Sequence, residues 1–99
     1  MDHATRCIER RFRWSRETVD FLFEASGVRH RGAIDYEAQV AGFRLAEFSH
    51  SATGQVACFD ANVDAVLAMA CGKVASGQVS PQGEVIIGIT DVTSPTWRQ

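Results

Sequence analysis

Three groups of residues in this 99-residue chain have the types and spacing to do chemistry. The first is His50, in the run SHSATG, between Ser49 and Ser51 and three residues after Glu47. A histidine titrates near neutral pH and can serve as general acid or base. Catalysis would need a carboxylate to orient its ring, and Glu47 or Asp60 could supply one. The second group is Arg29, His30 and Arg31, a short basic stretch suited to an anionic ligand such as phosphate or carboxylate. The third is the arginine cluster Arg6, Arg10, Arg11, Arg13 and Arg16, which could contact a nucleic acid or an acidic surface.

Other chemistries find little support. Cys7, Cys58 and Cys71 form no paired spacing, and His3, His30 and His50 add no H-x-x-x-H or H-E-x-x-H. No metal site and no cofactor are implied. The SATGQ segment lacks the length and the lysine of a phosphate loop, and no G-x-S-x-G elbow is present. Among the thiols only Cys7, beside Arg6, Arg10 and Arg11, has electropositive neighbours that could activate it.

Ten Lys and Arg oppose twelve Asp and Glu, a net charge of −2 that does not advertise a nucleic-acid binder. The balance is uneven along the chain. Residues 1–31 hold a surplus of arginine, and residues 32–99 a surplus of acid. The odd cysteine count argues against a disulfide framework. The first residues lack the apolar stretch of a secretory signal, and no apolar run is long enough to span a membrane. These features point to a single cytoplasmic domain covering residues 1–99, with no membrane association.

The elements that must position these groups follow from periodicity. Residues 7–14 alternate, with Ile8, Arg10, Phe12 and Trp14 on one face, as in a strand. Residues 15–27 open with Ser15 as a cap and end at Gly27, which predicts a helix; the alternation of Val19, Phe21 and Phe23 is the competing strand pattern. Residues 28–32 form a basic connector. Residues 33–48 predict two strands or one bent strand, because the alternation changes phase at Gly42; Ile34, Ala38, Ala41, Leu45 and Phe48 are the competing helix pattern, which would carry Gly42 in its interior. Residues 49–55 predict a loop, and residues 56–59 a short strand. Asp60 caps a predicted helix over 60–72, with Val63, Val66, Leu67, Ala70 and Cys71 on one face. Residues 74–79 and 84–90 predict a hairpin about the turn Ser80-Pro81-Gln82-Gly83.

This order predicts an α+β domain: a single antiparallel sheet with two helices on one face and the ferredoxin-like order β-α-β-β-α-β plus extra strands. In 84–90, Val85, Ile87 and Ile89 share one face and Ile86 lies on the other. Ile86, with Val79 of the partner strand, marks a second apolar face that another subunit could cover, so a homodimer is expected there. Trp97 is a candidate anchor for a partner. With no catalytic motif, the chain reads as a non-catalytic binding module for a protein or small-molecule ligand. An enzyme built on His50, and nucleic-acid binding through the arginines, are the alternatives.

Overall fold

A computed structural model describes residues 5–93. Its elements are β1 (Arg6–Arg13), β2 (Thr18–Ala25), β3 (Val28–Asp35), α1 (Tyr36–Phe43), a 3-10 turn (Leu45–Glu47), α2 (Ala52–Ala61), α3 (Val63–Ala75), β4 (Glu84–Ile87) and α4 (Ile89–Thr93). The sheet order is β1-β2-β3-β4. The first three strands form an antiparallel meander, and β4 joins β3 in parallel. The fold is therefore α+β with a mixed sheet, and its element order, β-β-β-α-α-α-β-α, is not the ferredoxin-like one. Among the described residues no helix is long and apolar enough to cross a membrane.

Alternation overrides capping in the first half of the chain. Val19, Phe21 and Phe23 are buried on one face of β2, and Asp20, Leu22 and Glu24 lie half-buried on the other. The helix predicted over 15–27 is absent because Ser26-Gly27 closes a two-residue turn, with φ of 54° and 78°. Both signs suit the right-handed twist of a tight hairpin. The basic connector predicted at 28–32 is accordingly the first half of β3.

Residues 36–43 are helical, not extended. Asp35 caps α1, its carboxylate accepting from the Ala38 N–H at 2.8 Å. Gly42 marks no bulge. A Cβ there would stand 2.6 Å from the Val92 side chain, so the glycine lets α4 approach α1. The predicted strand at 56–59 lies inside α2, which begins after its Ser51 cap. Asn62 ends α2 and starts α3, so Asp60 is an α2 residue and not a cap. The predicted face of the next helix is realised in α3, where Val66, Leu67 and Ala70 are buried; Gly72 sits inside that helix.

No strand forms over 74–79. The turn at Ser80–Gly83 does form, with the Gly83 N–H donating to the Ser80 carbonyl at 2.8 Å, but it leads from α3 into β4. A parallel β3–β4 pair requires a long crossover, which α1 to α3 supply. Lys73, at the end of α3, ties β4 and α4 together. Its ammonium donates to the Ile86 carbonyl at 2.8 Å and faces Asp91 at 2.9 Å.

One core joins the sheet to the helices. Phe21 and Phe59 lie 5.1 Å apart, and Phe23, Ile34, Val85, Ile87, Leu45, Val66 and Leu67 surround them. Phe21 lies across Gly32, its cross-strand partner, so closely that a Cβ there would be 2.4 Å from the ring. Gly32→Ala is expected to cost about 1–3 kcal/mol by overpacking. Gly72→Ala, where a Cβ meets nothing within 4 Å, is expected to stabilise by about 0.5–1 kcal/mol. Urea midpoints of the two variants check the pair.

Candidate functional site

The two faces of the sheet differ in kind. The described helices pack on the face that carries Val19, Phe21, Phe23, Ile34, Val85 and Ile87. Cross-strand register places Glu9, Arg11, Asp20, Leu22, Glu24, Arg29, Arg31, Ala33, Glu84 and Ile86 on the other. No described helix covers this second face. It holds an open concavity of about 490 Å³ lined by Glu9, Arg11, Arg13, Leu22, Arg31 and Glu84, among others.

Charge on this face is largely paired, with cations left over. Arg13 holds Asp20 at 2.6 Å, Arg6 holds Glu24 at 3.2 Å and Arg16 holds Glu84 at 3.2 Å. Arg31 donates to the Gln82 carbonyl, bracing the turn before β4. Arg11 and Arg29 have no acidic partner among the described residues, and Glu9 no basic one. Leu22 and Ile86 are half-buried on the same face.

The sequence-derived candidates divide accordingly. Arg29 and Arg31 share the open face because they are two apart on a strand. His30, between them, turns to the opposite face and stacks on Phe23 at 5.3 Å, so the three do not form one anion cradle. Ile86 is on the open face as expected. Val79 is partly exposed but lies outside any strand, so it does not share a sheet face with Ile86. Trp97 lies outside the described residues. Trp14, expected to point inward, is 76% exposed beside the β1–β2 turn and meets Phe12 edge-on at 4.9 Å.

His50 and Glu47 are not brought together. Glu47 faces Arg44 at 3.7 Å. His50 is exposed, and its Nδ1 is hydrogen-bonded to the Tyr36 hydroxyl. Its carbonyl accepts from Gln55 Nε2 at 3.1 Å. Among the described residues no carboxylate is paired with the ring, and His50 lines neither of the two described concavities. Gln39 and Gln55 are both buried, and Gln39 makes no hydrogen bond through its amide among the described residues. Cys58 Sγ, also buried, donates to the Phe43 carbonyl at 3.3 Å, joining α2 to the end of α1. Among the described residues no three of His, Cys, Asp and Glu converge as metal ligands would.

Cys7 is not activated. Burial pushes its thiol above the usual range, against the smaller opposing effect of Arg10. Arg10 is committed elsewhere: Nε and Nη2 form a bidentate pair with Asp60, at 2.8 and 2.7 Å. This explains a charged residue on the inward-facing side of β1. The paired guanidinium, chiefly through its hydrogen bonds, holds the Asp60 carboxyl below its ordinary value. A lowered folded-state pKa stabilises above the unfolded carboxylate range and is lost as pH falls through the folded value. The pair is about half exposed, so its contribution is about 0.2–1 kcal/mol. Asp60→Asn is expected to lower the urea midpoint slightly at pH 7, by a difference that shrinks as pH falls below the unfolded carboxylate range.

No protein-family model matches the chain, and no curated protein matches it. The chain is similar in structure to a protein of unknown function from the DUF1488 family of Shewanella loihica PV-4, solved at 1.60 Å resolution. The TM-score is 0.65 at 15% identity, over 88% of this chain and 94% of that one. At this identity the likeness shows a shared fold: an α+β domain whose four-stranded sheet carries helices.

Proposed function

We propose that this chain is a non-catalytic interaction module whose uncovered sheet face receives an acidic segment of a partner protein. The observation that carries this reading is the combination on that face of two half-buried aliphatic groups, Leu22 and Ile86, with surplus guanidinium charge. Asp20, Glu24 and Glu84 are already neutralised, whereas Arg29 is unpaired and Arg31 has further N–H groups to give. Guanidinium groups suit carboxylates because their fork matches the two oxygens. An aliphatic centre rimmed by polar groups is the usual anatomy of a protein-binding patch.

The same arginines raise the nucleic-acid reading, but the described residues of the open face do not supply its second requirement. Single-stranded nucleic acids are held on sheet faces by stacking on aromatic rings. Phe12, Phe21 and Phe23 point to the helical side, and Leu22 and Ile86 occupy the open one. For an enzyme centred on His50, the ring is bonded to Tyr36 and no carboxylate among the described residues pairs with it, and His50 lines neither concavity described above.

Titration of the isotopically labelled full chain with a peptide of alternating Glu and Leu tests the reading. Shifts are expected at Leu22, Arg29, Arg31, Ala33 and Ile86, weakening with salt. Leu22→Asp is expected to weaken binding about tenfold or more by placing a carboxylate against the acidic peptide. Shifts confined to the helical face, or a short single-stranded oligonucleotide binding more tightly than the peptide, would refute it.

A further inference from the structure

We infer that β1 is the subunit interface: two copies of this chain pair their β1 strands antiparallel across a two-fold axis near Arg10, giving one continuous eight-stranded sheet. β1 is eight residues long and, among the described residues, bonded to β2 alone, so its outer edge leaves a row of backbone donors and acceptors without a described strand partner. Such edges are normally protected by uniform charge or irregularity. The bulge between Cys7 and Glu9 provides some of that protection, but the charges beyond it are of both signs.

Those signs specify a register. Glu9 and Arg11 both lie on the open face, and neither has an ion-pair partner among the described residues. An antiparallel pair centred on Arg10 sets Glu9 of each copy opposite Arg11 of the other. This gives two symmetric cross-strand ion pairs, the self-complementarity a two-fold interface requires. Centring on Arg11 would instead oppose two unpaired guanidinium groups. The pairing places the two Arg10 side chains together on the other face, where each is already neutralised by its bidentate bond to Asp60. Ile8, half-buried yet outside the core cluster, lies on the same edge and gains cover. The homodimer expected from Ile86 thus moves to the strand edge. Leu22, Arg31 and Ile86 stay open, so this inference and the proposed function use different residues.

Sedimentation over a concentration series, on the full chain and four variants with circular dichroism as a fold control, tests the interface. A dimer is expected for the unsubstituted chain. Glu9→Arg and Arg11→Glu are each expected to weaken association about tenfold, because attraction becomes repulsion at both symmetric positions. The double reversal, E9R with R11E, restores the pairing and is expected to recover association to within about threefold. Ile86→Lys is expected to leave it unchanged. A chain that stays monomeric throughout would overturn the inference. So would a dimer indifferent to both single reversals, a double reversal no better than the singles, or a dimer lost only with Ile86→Lys.

Discussion

The placement of Phe21 over Gly32 is the contact on which the rest of the molecule depends. A ring lying flat across the neighbouring strand leaves no room for a side chain at position 32. In return it brings Phe59 of α2 to 5.1 Å. Ring packing of this kind adds about 0.5–1.5 kcal/mol to the apolar area buried. It also fixes which side of the sheet the helices take. Because strand side chains alternate, choosing Phe21 for the inside places Leu22, Arg31 and Ile86 outside. The uncovered face is thus a consequence of the core.

Two ion pairs secure that arrangement from its edges. Arg10 reaches from β1 to Asp60 on α2, and Lys73 reaches from α3 to β4 and Asp91 on α4. Each spans a boundary between sheet and helix. Neither belongs to the open face, whose arginines Arg6, Arg13 and Arg16 pair with Glu24, Asp20 and Glu84 between strands and turns of the sheet itself. That division separates charge that ties sheet to helix from charge that pairs within the sheet.

What was legible in the sequence was the periodicity of elements that contact many neighbours. The buried face of α3, a strand over Arg6–Arg13 and the Ser80–Gly83 turn formed where the pattern placed them, although the bulge between Cys7 and Glu9 breaks the alternation of β1 and Trp14 stands exposed beyond it. The failures share a cause: a local signal whose meaning depends on a distant partner. Gly42 looks like a strand irregularity until Val92 is known to pack on it. Asp60 looks like a cap until Arg10 is known to hold it. Ser15 and Gly27 look like helix ends until β1 and β3 are known to flank β2.

The candidate site was legible only in part for the same reason. Arg29 and Arg31 stood out as basic, and Ile86 stood out as an apolar residue on a second face. Leu22 does not stand out, because Ser15 and Gly27 around it carry helix-end signals, and His30 looks like one of the arginines' group until β3 is known to turn it to the other face. The most direct test of the open face is the relaxation of methyl groups in the full, unbound chain by a soluble paramagnetic probe. Strong relaxation of the Leu22 and Ile86 methyls, with Val85 and Ile87 protected, is the expected result. Protection of Leu22 and Ile86 as complete as that of Val85 would contradict it, because the face would then already be covered by the chain itself.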